Sequence, residues 1–238
     1  PEDSTRMAML QAGTVDIIDI GVQYAGELQA KGIKTIIVPN MSSVGITLGG
    51  MWPTKPSYDP KVPWALPDKE KARKVRLAMN LAVDAKAIIN SVLKGLGEQV
   101  PVTNYFYGSP STDPNWKPYG YDPARARQLM TEAGYPNCFE FTMNLISWPG
   151  RTYLPDIGEA VATMLEKNLG CKVKRRPLDR AVFAQDFGAR TYPGVGVAYG
   201  YPAIGIEPWE EYWAVSYSKG TVALGTEEPE LDAFLEKL

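Results

Sequence analysis

Residues 139 to 176 carry the pattern that most narrows the fold. Phe139, Phe141, Met143 and Leu145 alternate with Glu140, Thr142 and Asn144, which is the two-residue period of a strand. Ile157, Val161, Met164, Leu165 and Asn168 then recur at helical spacing up to Gly170, and a second short strand is expected from Cys171 to Arg176. Strand, helix and strand in that order call for parallel, neighbouring strands with a right-handed crossover between them. The chain therefore reads as α/β.

Flanking signals extend this unit in both directions. Asp122 is an N-cap followed by Pro123 at the first helical position, Ala126, Leu129, Met130 and Ala133 form one stripe, and Gly134 with Pro136 ends the helix. Residues 68 to 83 and 84 to 94 read as tandem helices, the second stopping at Gly95. Asp179 is expected to cap a helix carrying Val182, Phe183 and Phe187, Val195 to Tyr199 to form a strand, and Leu231, Phe234, Leu235 and Leu238 to make a final stripe after Pro229. The first fifty residues read as short elements: a helix to Gln11, a strand over Val15 to Ile18, a helix to Lys31, then Ile33 to Val38. Prolines at 53, 56, 60, 63 and 67 forbid helix interior and central strand alike, so that stretch is either a linker or an ordered surface crossing. Residues 100 to 121 read as irregular.

Composition removes whole classes of function. The 238 residues contain no histidine, which excludes Ser-His-Asp and Cys-His nucleophile systems and most catalytic zinc sites. With 25 basic and 27 acidic residues there is no basic stripe of the kind that nucleic acid requires. No stretch approaches the run of about 18 apolar residues that spans a bilayer. The carboxylate pairs Glu210–Glu211 and Glu227–Glu228 are sequence neighbours and point apart on a helix. Gly194 and Gly196 lack the third glycine and helix start of a dinucleotide loop. No catalytic residue, metal or cofactor is expected.

Two features remain as candidates. Cys138 and Cys171 each open one strand of the β-α-β unit; they are either a disulfide, reachable if those strands are neighbours in register, or two free thiols of small hydrophobic character. A disulfide would imply an oxidising compartment. Second, Trp148, Arg151 and Tyr153 follow one strand, and Tyr199, Tyr201 and Trp209 close or follow another. In open α/β sheets ligands bind outside the carboxyl ends of the strands, and aromatic walls with one guanidinium suit a polar organic ligand or peptide.

Three ordered stretches carry a family resemblance. Pro1-Glu-Asp-Ser-Thr-Arg with Ala8-Met-Leu-Gln-Ala-Gly-Thr-Val-Asp16 resembles the pattern aLqaGevD, and Val75-Arg-Leu-Ala-Met-Asn-Leu-Ala-Val-Asp84 resembles vRqAlnyAiD. Tyr121-Asp-Pro-Ala-Arg-Ala-Arg-Gln-Leu-Met-Thr-Glu-Ala-Gly-Tyr135 resembles yDpekAkkLLaeAGy. All three are features of the family 5 extracytoplasmic solute-binding proteins of ABC importers, which handle peptides and nickel complexes. The resemblance implies a periplasmic-binding-protein-like (type II) fold, of which this chain is a fragment. Residues 1 to 50 would be the trailing part of the first lobe, 51 to 67 a hinge or crossing, and 68 to 238 most of the second lobe.

The same resemblance implies a monomer in the periplasm, free or tethered as a lipoprotein, that clamps a small polar solute or short peptide between two lobes and delivers it to a membrane permease. Peptide-binding relatives place an acidic residue in the loop matching Gly200 to Pro208; here Glu207 falls late in it. Nickel is disfavoured by the lack of histidine. Two alternatives stand beside this reading: a ligand-sensing domain of the same fold, and a hydrolase using two carboxylates brought together only in three dimensions.

Overall fold

The computed structural model describes residues 2–37, 43–65, 67–101, 113–192, 194–200, 213, 216–220 and 227–237, with the backbone alone for 197–200. The elements in chain order are α1 (Asp3–Gln11), α2 (Ala25–Ala30), β1 (Ser43–Leu48), α3 (Lys69–Leu81), α4 (Ala85–Ser91), α5 (Pro123–Glu132), β2 (Glu140–Ser147), α6 (Leu154–Leu169), β3 (Lys172–Asp179), α7 (Arg180–Gly188), β4 (Val195–Gly200) and α8 (Pro229–Leu235). The four strands form one sheet in the order β1-β4-β2-β3. Strand β2 runs parallel to both β3 and β4, and β1 pairs antiparallel with β4. The expected β-α-β unit is present, with Glu140 opposite Lys172 and Ser147 opposite Asp179.

Helix starts follow the aspartates. The carboxylates of Asp68, Asp84, Asp122 and Asp179 each accept from a first-turn backbone N–H, satisfying one of the donors that a helix start leaves open. Gly170 closes α6 in the left-handed conformation at φ 76.

The two faces of the sheet are covered differently. Phe141 and Met143 of β2, Val173 of β3 and Val195 of β4 meet α3, α5 and α6 in the main core, with Val75, Leu129, Leu154 and Leu165 fully enclosed. Arg175 of β3 also points to α6, where its guanidinium binds Glu159 at 2.9 Å and Glu166 at 2.8 Å. On the other face Ile146 and Leu178 pack with Trp52, Phe183 and Tyr192. Asn144, completely buried there, donates to the Tyr192 hydroxyl at 3.1 Å and to the Val195 carbonyl at 2.9 Å, and accepts from Arg176 Nε at 2.7 Å. Burial raises the Tyr192 pKa above the usual phenol value, so the ring stays neutral.

The N-terminal region departs from expectation. Val15 to Ile18 forms no strand, and residues 33–37 enter no sheet among the described residues. A strand needs a partner edge for its backbone groups, and neither segment pairs with one among the described residues. The strand that does form, β1, lies at 43–48 and was not anticipated, although Val44, Ile46 and Leu48 alternate with Ser43, Gly45 and Thr47. The proline-rich stretch is ordered: Trp52 and Trp64 are buried, Trp64 Nε1 donates to the Gly49 carbonyl at 2.8 Å, and Arg76 Nη1 donates to the Trp64 carbonyl at 2.7 Å.

Candidate functional site

Because β2, β3 and β4 are parallel, their carboxyl ends share one edge of the sheet. That edge carries Trp148 just after β2, Asp179 and Arg180 at the end of β3, and Gly200 at the end of β4, with Ser43 of the antiparallel β1 opposite Gly200. Trp148 is half-buried and bridges the packing of both faces. The Arg180 guanidinium lies 4.8 Å from its ring centre, and Phe183 is tilted against it at 6.3 Å. A stacked, exposed guanidinium keeps its edge donors for an anion while its face is shielded by the indole.

Arg151 lies in the loop between β2 and α6, where Nη1 donates to the Gly150 carbonyl at 2.8 Å and stands 3.7 Å from Asp19 Oδ2. Gly150 turns that loop in the left-handed conformation, φ 73, which favours glycine, and its Cα faces the Arg6 and Asp19 side chains of the N-terminal segment. Arg6 in turn donates to the Asp19 carbonyl at 2.7 Å. One residue on, Thr152 donates to Asp3 Oδ2 at 3.2 Å and accepts from Gln23 Nε2 at 2.6 Å. The loop 148–153 is thus fastened to the first 23 residues by polar side chains.

Of the six residues singled out from the sequence, the structure brings Trp148 and Arg151 to this edge. Tyr153 precedes α6 and is buried in the main core instead. Tyr199 pairs with Val44 across β1 and β4, which puts its backbone near the same edge. Tyr201, Trp209 and Glu207 lie outside the described residues. Sequence reasoning missed Arg180, Thr152, Gln23 and Asp3. Arg180 had a readable signal, since it follows the strand-ending Asp179; the other three meet only through the docking of the N-terminal segment.

Cys138 and Cys171 form a disulfide at the opposite edge, with Cα atoms 4.8 Å apart. Phe139 is the residue level with Cys171, so the bond reaches back one residue before the strand pairing. It pins the amino ends of β2 and β3 and leaves the carboxyl edge untouched.

A family model described as bacterial extracellular solute-binding proteins, family 5 Middle, matches residues 1–217. This chain belongs to that family. Heme-binding protein A of Haemophilus influenzae is 35% identical over 158 residues, covering 59% of this chain and 23% of that protein. The glutathione-binding protein GsiB of Escherichia coli is 26% identical over 220 residues, covering 90% of this chain and 38% of that protein. The chain therefore spans well under half the length of either relative.

Solved structures agree on the fold. The oligopeptide-binding protein AppA of Bacillus subtilis, in complex with a nonapeptide, superposes with a TM-score of 0.73 at 21% identity, covering 100% of this chain and 46% of that one. AgaA of A. tumefaciens R10, in complex with agropinic acid, gives 0.75 at 23% identity, covering 99% and 45%. No helix among the described residues is long and apolar enough to cross a membrane.

Proposed function

We propose that the chain is the ligand-gripping part of an ABC importer's extracytoplasmic binding protein, which captures a peptide or similar polar organic solute and passes it to a membrane permease. The family match over residues 1–217 carries this reading. The chemistry of the carboxyl edge supports it: the Trp148 ring carries the Arg180 guanidinium, and Arg151 and Arg180 bring positive charge that suits a carboxylate. Relatives named for glutathione or bound to a nonapeptide favour a peptide-like solute. The disulfide fits a periplasmic protein, free or lipid-tethered, because such bonds persist in oxidising compartments. On this reading residues 51–67 serve as the hinge or crossing between a first-lobe remnant and the second lobe, and the protein acts as a monomer.

The test is isothermal titration of the oxidised protein with glutathione, di- and tripeptides and oligopeptides, alongside mass spectrometry of whatever solute co-purifies. Saturable binding of one class is expected, with Arg151→Ala weakening an anionic or zwitterionic solute by about ten- to a hundredfold and leaving the melting temperature nearly unchanged. Turnover of such a solute, abolished by replacing one carboxylate, would overturn the binding-protein reading. Unchanged affinity in the Arg151 variant would take that residue out of the site.

A further inference from the structure

The adjacent carboxylates Glu227 and Glu228 reach different partners. Glu227 Oε2 accepts from the Thr54 backbone N–H at 2.8 Å, and its Oε1 accepts from the Thr54 hydroxyl at 2.5 Å. The same carboxylate stands 3.6 Å from Arg190 Nη1, and each side chain of that ion pair is only 11% exposed. Glu228 pairs instead with Lys69 at 2.8 Å, in an exposed contact. Thr54 lies near the start of the proline-rich stretch and Lys69 opens α3 just beyond its end, so two neighbouring residues before α8 grip it from both sides.

We propose that Glu227 is the node of a clasp that fixes residues 52–65 as a rigid strap, so that of the two roles open to this stretch, hinge and crossing, it serves only as the crossing. The clasp stands on contacts within this chain; the word crossing rests on the binding-protein reading.

Three segments meet at the node. The Ser57 hydroxyl donates to the Arg190 carbonyl at 2.5 Å, and Arg190 Nη2 donates to the Gly220 carbonyl at 3.2 Å. Arg190 thus holds the strap through its backbone and the C-terminal segment through its guanidinium. It follows the end of α7 at φ 58, a left-handed position that glycine occupies at less cost. An arginine in glycine's place is explained by what its side chain holds. On the strap itself Trp52, 1% exposed, packs edge-on against Phe187 of α7 at 6.2 Å. Both flanks are also anchored, since β1 pairs with β4 and α3 lies in the main core. A hinge needs residues free to change their backbone angles, whereas prolines 53, 56, 60 and 63 fix φ and Glu227 engages the Thr54 backbone. Removing Glu227 would leave the Arg190 charge enclosed without its carboxylate, which costs more than the loss of an exposed pair.

The experiment is amide hydrogen exchange, read by mass spectrometry, on wild type, Glu227→Ala, Glu227→Gln and Glu228→Ala. Residues 54–62 report the strap, 185–191 the end of α7, and 140–147 in β2 serve as reference. Glu227→Ala should speed exchange in both reporting segments by about tenfold or more, the scale of a lost charge-assisted contact. Glu227→Gln keeps an oxygen for Thr54 and should speed it by about threefold, and Glu228→Ala by less than about twofold. If Glu227→Ala also loosens the reference strand, Thr54→Val decides, with a rise of about threefold expected in the same two segments. Residues 54–62 exchanging freely in the wild type, no rise in a folded variant of Glu227 or Thr54, or a rise confined to one segment overturns the clasp. An effect of Glu228→Ala as large as that of Glu227→Ala overturns it too, because Glu227 would then not be the node. Solute titration decides the binding-protein reading separately, since exchange in these segments is measured without solute.

Discussion

The β2–α6–β3 unit and the N-terminal fifty residues use similar local sequence signals and reach different ends. In the unit, the alternation of β2 and the stripe of α6 both find surfaces to bury against, and Leu154, Leu165 and Met143 are fully enclosed. In the N-terminal region α1 buries only Asp3, Ile17 is 88% exposed and Ile36 is 77% exposed. Apolar periodicity states what a segment could bury; a packing partner decides whether it does. The difference is one of contacts, since both regions contain helices closed by a positive-φ glycine nearby.

The strongest way to break this comparison is to loosen the unit at its disulfide. Replacing Cys138 and Cys171 by serine opens a loop of 33 residues, and the chain-entropy relation puts the loss at about 3 to 4 kcal/mol of unfolding free energy. Urea titration of the oxidised wild type against the double variant reads this directly. Two freely alkylated thiols in denatured, unreduced protein from an oxidising compartment would remove the crosslink altogether. Solute affinity should change little in a sample that remains folded, because the bond sits at the edge opposite the candidate site.

Leu165→Ala probes the same unit through its core. The side chain is fully enclosed between α6 and the sheet, so truncation should cost about 3 kcal/mol from lost transfer energy and the cavity left behind. A loss under 1 kcal/mol would mean that α6 is less firmly seated than its burial indicates.

A smaller effect comes from the clasp of α6 to β3. Hydrogen bonds from Arg175 hold the Glu159 and Glu166 carboxyls below their usual range, and those two carboxylates raise the Arg175 pKa in turn. A lowered carboxyl pKa adds stability that is fully present above the unfolded value near 4.3 and is lost as pH falls through the folded value. Both carboxylates are partly solvated, so the pair should be worth about 0.5 kcal/mol per contact after screening. Melting between pH 6 and pH 3 should therefore fall more steeply for wild type than for Arg175→Met. Parallel curves would show that the clasp contributes nothing.

These outcomes bear on what was legible in the sequence. The β-α-β unit could be read because its alternation, its Asp caps and its glycine stops all pointed one way. Asn144 could not, because a polar residue in an alternating strand signals a solvated face, whereas here α7, Trp52 and Tyr192 cover that face and Asn144 joins a buried network. The prolines at 53 to 67 specified backbone angles and said nothing about burial, so neither Trp52 nor Trp64 was expected in a core. At the candidate site, Trp148 and Arg151 followed from the rule that ligands meet the carboxyl ends of parallel strands. Asp3 and Gln23 were invisible, since only the docked N-terminal segment brings them to a loop more than a hundred residues away.

The smallest expected effect is the one that sharpens the comparison most. Ile17→Ser changes a side chain that is almost wholly in solvent here, so unfolding of this chain should shift by no more than about 0.5 kcal/mol. Ile17 nevertheless lies with Val15, Ile18 and Ile20 in a β-branched segment interrupted by Asp16 and Asp19, and Ile36 and Ile37 are exposed in a second β-branched segment, which is the composition of strands. Denaturant titration of Ile17→Ser in this chain, and in a version extended to the length of its family relatives, separates two cases. A small effect in both makes the apolar side chain of Ile17 incidental to either core. A small effect here with a loss of about 1 to 3 kcal/mol in the longer protein places Ile17 in a core that these 238 residues do not complete. A large effect in this chain alone would break the comparison, because Ile17 would then be buried in solution and the two regions would differ less than their exposures indicate.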